Sequence, residues 1–481
     1  MPTSRRSIGR AITLAALLAI GFGPVSMRGQ AAPTVRLTAD QQLALDIYKE
    51  LVEINSTTDA PGTTKAAEAM AARLRGAGFS ETDVQVLSSG PTDGNLVARL
   101  RGSGASGQKP ILLLAHLDVV AARREDWTMD PFTFVEKDGF YYGRGTSDDK
   151  AMAAIWIANM IRMKREGFVP DRDLIVALTA DEEGGDHSGV AWLIANKREL
   201  IDAAYALNEG GGGFLKGGKP FVHNVQAAEK VYYDFTFEVR NKGGHSSRPV
   251  KDNAIYHLSN ALGRLEKFEF PVMLNEVTRA YFTQLAKTET GQTAADMRAV
   301  AANPNNTAAV QRLSASPVYN SMLRTTCVAT RLEGGHANNA LPQLARATVN
   351  CRLLPNHRVK DVHAALVRLA GDTAVHVSPL PEVRGGPASP LTDEVLRPVE
   401  RLTNEMWPGV PVVPVMSTGA TDGWLLRQAG IPTYGVSGLF GDMDDSRAHG
   451  RDERMLVKSF FEGHAFLYRL VKELSGKKPV S

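Results

Sequence analysis

Short apolar runs alternate with amphipathic helical segments over most of the chain. Two of the runs, Ile111 to Ala115 and Leu174 to Ala180, end at acidic or glycine-rich turns, and two later runs, Val412 to Met416 and Ile431 to Val436, resume the pattern. A strand that is covered by helices on both faces is apolar throughout. The alternation therefore predicts an α/β fold with a helix-covered, mostly parallel sheet.

A second pattern lies between these regions. From Val231 to Val239, and again from Ala347 to Leu353, apolar and polar residues alternate one by one. Because successive side chains of a strand point to opposite faces, each of these strands has one buried and one wet face, as in an antiparallel sheet. The polar, alanine-rich stretch from Thr288 to Ala315 is expected to be helical.

The two alternating strands are interpreted as the borders of an inserted module. The expected inserted α+β module covers residues 239–354, and the helix-covered sheet domain is split into residues 37–238 and 355–481.

The amino terminus has the layout of a secretory signal peptide. Arg5, Arg6 and Arg10 precede an apolar run from Ala11 to Phe22, and small residues follow it. The run is too short to span a membrane comfortably. We expect residues 1–32 to direct export to the periplasm or the medium; the paired arginines also resemble a twin-arginine signal, so the export route stays open.

Composition limits the classes of partner. The chain is 43% hydrophobic and 22% charged, which is typical of a globular protein, and its net charge of +3 comes with a basic segment 1–32 that holds no acid. The remaining chain is nearly neutral, so it offers no general electrostatic attraction to nucleic acid or anionic membranes. A small molecule or a peptide fits better as substrate.

The two cysteines, Cys327 and Cys351, are too few for a thiolate zinc site. A metal would therefore be held by histidine and carboxylate side chains. In an oxidising compartment the two cysteines can pair, and two buried thiols are the equal alternative.

Acidic and histidine residues cluster after the apolar runs, where a parallel sheet places its active site. Singly, each has an ordinary explanation: a surface histidine, a helix cap or a solvated acidic loop. The glycine run after Glu209 lacks the GK[ST] ending of a phosphate loop. Taken together, the acidic and histidine residues favour a metal centre. The candidates are His116, Asp118, Asp148, Glu182, Glu183, Glu209 and His449.

The motifs AHLDVV, YGRGTSDDK, DEEGG and AHGRDE, in that order, resemble the di-zinc metallopeptidase family of carboxypeptidase G, carboxypeptidase S, aminoacylase, carnosinase and succinyl-diaminopimelate desuccinylase. The resemblance implies two zinc ions, with cobalt or manganese as substitutes. It also implies a cis peptide bond after the bridging aspartate. By this resemblance His116 and Glu209 would hold the first zinc, Glu183 and His449 would hold the second, and Asp148 would bridge the two. Asp118 would form a hydrogen bond to His116, and Glu182 would be the general base.

The resemblance extends to the inserted module, which in this family is a lid and dimerisation domain. His245 in NKGGHSSRP would stabilise the developing oxyanion, often in a partner subunit's site, and Asn339 and Arg352 would hold the substrate's free carboxylate. The alternative is that neither residue has a function, because His245 lies in a glycine turn and Arg352 on the exposed face of a strand. The stretch from Leu274 to Leu323 is expected to enlarge the lid, and it resembles the carboxypeptidase S and N-acyl-amino-acid hydrolase branch.

These observations predict an exported, zinc-dependent carboxypeptidase that cleaves the amide next to a free carboxylate in short peptides. An aminoacylase acting on N-acyl amino acids is the alternative, followed by a zinc-binding protein of the same fold without turnover. A homodimer through the lid domain is implied by resemblance, and no membrane span is expected in the mature protein.

Overall fold

The computed structural model describes residues 36–58, 60 and 62–476. The expected signal peptide, residues 1–32, lies outside the described residues.

The strands of the described chain are β1 (Val84–Ser88), β2 (Gly94–Leu100), β3 (Ile111–His116), β4 (Val135–Lys137), β5 (Phe140–Tyr142), β6 (Leu174–Thr179), β7 (Tyr205–Asn208), β8 (Gly213–Lys216), β9 (Lys219–Glu229), β10 (Val231–Arg240), β11 (Gly244–His245), β12 (Thr326–Gly334), β13 (Ala340–Leu341), β14 (Leu344–Leu353), β15 (Val375–Arg384), β16 (Val412–Ser417), β17 (Thr433–Gly435), β18 (Phe440–Asp442) and β19 (Arg454–Leu456).

The α-helices of the same residues are α1 (Ala39–Glu53), α2 (Gly62–Gly76), α3 (Lys150–Arg165), α4 (Gly189–Asn196), α5 (Arg198–Ile201), α6 (Ala254–Glu266), α7 (Glu276–Leu285), α8 (Gly291–Ala302), α9 (Thr307–Ser314), α10 (Pro317–Leu323), α11 (Val359–Ala370), α12 (Asp393–Met406), α13 (Gly423–Gln428) and α14 (Val457–Ser475).

The main sheet has the strand order β1-β2-β6-β3-β7-β17-β9-β8-β18, with β16 beside β9. β3 runs parallel to β6 and β7, and β17 runs parallel to β7. Antiparallel pairs join β1 to β2 and β2 to β6 at one edge. The predicted α/β fold with a mostly parallel sheet is therefore confirmed.

Both faces of the main sheet are covered by helices, which explains why β3 and β6 are apolar throughout. Ile111 and Leu113 lie in a core that also contains buried residues of α1, α2, α3 and α14. Leu112 and Leu114 point to the opposite face and pack in a second core with residues of α4 and α13. The period of two along β3 thus places alternate side chains in two different cores.

A second sheet, of order β12-β14-β10-β15, is antiparallel. Phe235, Phe237 and Val239 of β10 are fully buried in a core that also contains residues of α6 and α11. Thr236 and Glu238, between them, are half-buried on the other face. The predicted strand with one wet face is confirmed.

This second sheet extends beyond both borders predicted for the inserted module, 239 and 354. β10 begins at Val231, and α11 and β15 add a helix and a strand after residue 354. A helix followed by a strand has the same hydrophobic pattern in either domain, so the pattern alone could not assign α11 and β15.

The expectation that residues 274–323 enlarge the lid is wrong. Helices α7 to α10 place Val277, Phe282, Met297 and Leu323 in the hydrophobic core of the main sheet and not in that of the second sheet. The helical prediction for residues 288–315 is confirmed by α8 and α9.

Cys327 of β12 lies opposite Cys351 of β14, and the two form a disulfide. Of the two alternatives that the sequence leaves open, the structure has the cross-strand bond.

Among the helices of the described residues, none combines the length and apolar character needed to cross a membrane.

Candidate metal centre

The carboxyl ends of three neighbouring strands bring the first candidate ligands together. β3 ends at His116, and the parallel strands β6 and β7 are followed by Glu182, Glu183 and Glu209 at the same edge of the sheet. An open α/β sheet places its site at this edge because the loops there leave the sheet in both directions. The fold therefore brings together residues that are far apart in sequence.

Asp148 lies in the loop between β5 and α3, and its carboxylate contacts two imidazoles. Asp148 Oδ1 is 3.0 Å from His116 Nε2, and Asp148 Oδ2 is 3.2 Å from His449 Nε2. The peptide bond between Asp148 and Asp149 is cis, as the resemblance implied. One carboxylate thus stands between two groups of candidate ligands, which is the position of a bridge.

Each imidazole also lies near a second carboxylate. His116 Nε2 lies 3.9 Å from Glu209 Oε1, and His449 Nε2 lies 2.9 Å from Glu183 Oε2. Potential ligand atoms of His116, Asp148 and Glu183 all lie within 4.8 Å of one another. The structure brings all five candidate ligands together, and their binding of metal stays a prediction.

Glu182 and Glu183 point to different parts of the site. Ligand atoms of Glu182, His116 and Glu209 lie within 4.8 Å of one another, whereas Glu183 contacts His449. Asp181, just before them, has a φ of 67°, in the left-handed region that tightens the turn after β6. The adjacent glutamates are therefore free for separate tasks.

The expected contact between Asp118 and His116 differs in detail. His116 Nδ1 is 3.0 Å from the backbone oxygen of Asp118, and the nearest carboxylate oxygen, Oδ1, is 3.7 Å away. The other oxygen, Oδ2, accepts a hydrogen bond of 2.9 Å from the backbone N–H of Glu183. Asp118 therefore orients His116 through its main chain and the Glu183 turn through its side chain.

Burial and mutual repulsion disfavour negative charge on most of these carboxyl groups. Burial first, then neighbouring carboxylates, raise the pKa of Glu182 to about 9 and the pKa of Glu183 to about 7. The pKa of Glu209 is raised well above its ordinary value for the same reasons. A cluster of acids in a dry site needs positive charge to ionise, and divalent cations supply it.

The neighbouring carboxylates favour the protonated, positively charged form of the two histidines. Burial acts to lower the pKa of His116, but the hydrogen bond to Asp148 and nearby carboxylates hold it well above its usual range. The hydrogen bond to Asp148 raises the pKa of His449 to about 9. Imidazole and carboxylate donors without thiolate suit zinc, manganese or cobalt. The residues present therefore fit a two-metal site.

The three lid candidates lie apart from this cluster. His245 is exposed, and its Nδ1 accepts a hydrogen bond of 2.7 Å from Ser247. β11 pairs with β13, and the backbone N–H of Ser246 donates to the backbone oxygen of Asn339. The structure thus brings His245 and Asn339 together, and within the described part of the chain no hydrogen bond or ion pair joins either residue to the ligand cluster.

Arg352, on β14, reaches toward the main sheet. Its Nη1 donates to the backbone oxygen of Thr418 at 3.3 Å, and its guanidinium lies 4.6 Å from the ring centre of Tyr232. The side chain is partly exposed at the junction of the two sheets.

A cavity of about 600 Å³ lies beside Asp148 and Glu209, and no pattern in the sequence predicts it. The glycine run from Gly210 to Gly213, which lacks the ending of a phosphate loop, forms part of its wall. The apolar side chains of the wall include those of Phe140, Met152, Phe214, Leu215, Leu439, Phe440, Met455 and Leu456. They come from distant elements, so only the fold reveals them.

Two buried acids near the site were also missed. Asp422 accepts a hydrogen bond of 3.1 Å from Thr179 Oγ1, and burial first, then the charge of Asp118, raises its pKa to about 7. Glu453 is fully buried although it belongs to a run of charges, RDER, that is typical of a solvated loop.

Comparison with known proteins identifies the family. Residues 112–473 match the model of Peptidase family M20/M25/M40. The chain therefore belongs to this peptidase family. The fold and the family match together define it as a metal-dependent hydrolase. Its solved members include one described as a dinuclear metal-binding peptidase, from Bacillus subtilis, which is 12% identical with a TM-score of 0.58 and covers 91% of this chain and 98% of its own.

Among curated relatives, the human N-fatty-acyl-amino acid synthase/hydrolase PM20D1 is 28% identical over 394 residues, covering 79% of this chain and 77% of that protein. Carboxypeptidase S of Saccharomyces cerevisiae is 28% identical over 268 residues, 53% of this chain and 46% of its own length. The fold is similar to an M20 metallo-carboxypeptidase from Sulfolobus solfataricus, with 17% identity, a TM-score of 0.64, and coverage of 90% and 99%.

Proposed function

We propose that the protein hydrolyses an amide bond next to a free carboxylate and so releases an amino acid, with two zinc ions held by His116, Glu209, Asp148, Glu183 and His449. A carboxypeptidase acting on short peptides is the first form of this function. The observation that carries it is the position of Glu182, a further carboxylate that lies beside His116 and Glu209 in addition to the five residues assigned to the two ions.

Glu182 is suited to move the proton. Burial and neighbouring carboxylates raise its pKa to about 9 in the site without metal. Bound cations would lower this pKa and allow Glu182 to ionise, so that it can accept a proton. It would take a proton from the attacking water and give it to the leaving nitrogen. Bound divalent cations would supply the electrophile for the amide carbonyl and would lower the pKa of the water.

The substrate's carboxylate needs a cationic partner on the other side of the scissile bond. Arg352 offers a planar guanidinium that can hold a carboxylate through two hydrogen bonds, and Asn339 can add a third. His245, which shares a ribbon with Asn339, would stabilise the developing oxyanion. Because His245 is exposed on this chain, we propose that it serves the site of a second copy.

The apolar cavity favours a second form of the function, an N-acyl-amino-acid hydrolase. Asp148 and Glu209 line the same cavity as Phe140, Met152 and Leu439, so an apolar acyl chain could lie there while its carbonyl reaches the metal centre. The relatives point the same way, since PM20D1 is named a synthase/hydrolase of N-fatty-acyl amino acids.

The second copy would dock on the lid's edge strand. β12 is at the edge of the second sheet and carries the exposed residues Val328 and Leu332, with Ile255 and Tyr256 exposed on α6. An unpaired edge that presents apolar side chains is suited to pairing with another chain. We therefore propose a homodimer, which light scattering of the purified protein tests.

We also propose that the protein is exported, on the basis of residues 1–32. Fractionation of the producing cell tests this part.

The experiment that tests the function compares amino-acid release from dipeptides and from N-acyl amino acids of rising chain length, with and without a chelator. Glu182→Gln should lower kcat by about 10²- to 10⁴-fold while metal content stays unchanged, because general acid-base catalysis contributes about this factor. Glu199→Gln, on helix α5, is the matched control and should behave as the native protein.

Two outcomes contradict the proposal. Full turnover by a metal-loaded Glu182→Gln protein would show that another group moves the proton. A native protein that holds two zinc ions but releases no amino acid would favour the zinc-binding protein without turnover.

A further inference from the structure

Glu453 is buried close to the metal centre, and five donors surround its carboxylate. Oε1 accepts hydrogen bonds from the backbone N–H of Ser147 at 2.7 Å, from Ser147 Oγ at 2.8 Å and from the backbone N–H of Asp148 at 3.1 Å. Oε2 accepts from the backbone N–H of Gly145 at 3.1 Å and from Arg144 Nη1 at 2.6 Å. All five partners donate, so both carboxylate oxygens act as acceptors, and an amide at this position would place a donor against donors.

Arg144 joins the same arrangement to the loop that carries His449. Its Nη2 donates to the backbone oxygen of His449 at 3.4 Å, while Nη1 pairs with Glu453. The side chains of Arg144 and Glu453 are only 3% and 1% exposed. The pair therefore lies beneath the site and contacts the two loops that deliver Asp148 and His449.

We propose that Glu453, paired with Arg144, is a positioning residue that fixes the loop of Asp148 against the loop of His449 and so sets the geometry of the metal ligands. The proposal rests on the proposed function, because it assigns Asp148 and His449 to the metal. Both side chains are almost fully buried, so neither is placed to contact a substrate. They act through the backbone of residues 145–148 and of His449.

The geometry separates this role from general stabilisation by a buried ion pair. Arg427 and Glu229 form a pair of the same length, 2.6 Å, with side chains 2% and 1% exposed. The hydrogen bonds of Glu229 come from Gln226 and Thr421, which are not candidate ligands. The two pairs are therefore matched in burial and differ in what they hold.

The test compares Glu453→Gln with the control Glu229→Gln in the full-length chain. Each protein is stripped of metal and titrated with Zn²⁺ against a chelating dye, and kcat, KM and the unfolding temperature are measured. For Glu453→Gln we expect at least one Zn²⁺ to bind ten times more weakly and kcat to fall at least tenfold, with KM within threefold of native. For Glu229→Gln we expect a lower unfolding temperature and both Zn²⁺ affinities within twofold of native.

Glu453→Asp keeps the inference testable where Glu453→Gln does not fold. Aspartate keeps the charge beside Arg144, but it is one methylene shorter and cannot reach Gly145 and Ser147 together, so we expect an intermediate loss of Zn²⁺ affinity. Native Zn²⁺ affinity and native kcat in either folded variant, with only a lower unfolding temperature, would overturn the proposal. If the native protein binds zinc without turnover, the proposed function fails, and the Zn²⁺ titrations alone decide the role of Glu453.

Discussion

His449 Nε2 lies 2.9 Å from Glu183 Oε2, so the loop between β18 and β19 meets the turn that follows β6. The same nitrogen is 3.2 Å from Asp148. More than half of the His449 side chain is exposed, at 55%, whereas His116 is buried. The two halves of the candidate centre therefore differ in access to solvent, and the half with His449 should exchange its metal more readily.

His449→Ala should remove one metal ion per chain and leave the other. The variant keeps His116, Glu209 and Asp148, which can still hold the buried ion, while Glu183 and Asp148 alone are a weak pair of ligands for the second. Elemental analysis after dialysis measures the metal content, and we expect a fall from about two ions to about one.

His376→Ala is the matched control, because His376 is an exposed histidine of β15 in the second sheet. It should keep the native metal content. Two firmly held ions in His449→Ala would exclude His449 as a ligand.

The cavity beside the metal centre predicts a change in acyl-chain preference. Gly441 lies in its wall, and a Cβ atom added there meets no atom within 4 Å. The Cβ atom of Gly441→Leu therefore fits, and we expect the rest of the side chain to occupy part of the cavity. If it displaces two methylenes of a long acyl chain, it costs about 1.6 kcal/mol at about 0.8 kcal/mol each, which is roughly tenfold in kcat/KM.

The measurement compares kcat/KM for N-acetyl and long-chain N-acyl forms of one amino acid. Gly263→Leu, on helix α6, adds the same side chain at a position where the Cβ atom also meets no atom within 4 Å, and it should change neither value. An equal loss for short and long acyl groups in Gly441→Leu would mean that the chain lies elsewhere.

The residues of the candidate centre were predictable because they combine a local signal with a fixed place in the fold. His116, Glu182, Glu183 and Glu209 each follow an apolar run, and parallel strands bring such positions to one edge. His449 lacks such a run nearby, and only the order of the motifs pointed to it.

The assignment of helices to domains could not be read in the same way. An amphipathic helix such as α7 shows that it has a buried face, but its period does not say which core that face enters. Glu453 was missed for a related reason. Its neighbours Asp452 and Arg454 are charged, and nothing local indicates that five donors converge on this one carboxylate.

The disulfide should stabilise the second sheet. It closes a loop with a sequence separation of 24, and a loop of this size is worth about 3 kcal/mol in unfolding free energy. The double variant Cys327→Ala/Cys351→Ala should lose about this amount in denaturant unfolding. Reductant should lower the stability of the native protein to the level of the variant and leave the variant unchanged; a native protein insensitive to reductant and equal to the variant would contradict this.

Lys230 joins β9 of the main sheet to β10 of the second sheet, and its side chain is buried. Its Nζ donates to the backbone oxygen of Arg324 at 2.8 Å and to Thr326 Oγ1 at 3.3 Å. Burial first, and then the charge of Arg352, lower the pKa of Lys230 from about 10.5 to about 7. The folded protein thus releases this proton at a lower pH than the unfolded chain does.

The sign of the resulting pH dependence follows from the proton count. Below about pH 7 both states hold the proton on Lys230, whereas between pH 7 and 10 the unfolded chain binds more protons than the folded one, so this group makes the folded state more stable as pH rises. Lys230→Met should lack this contribution. The unfolding free energy of the native protein should therefore rise relative to that of the variant by up to about 1.4 kcal/mol per pH unit. Denaturant unfolding of both proteins at pH 7, 8, 9 and 10, with the exposed Lys219→Met as control, measures the difference; parallel curves for native and Lys230→Met would show that Lys230 keeps its proton in the folded protein.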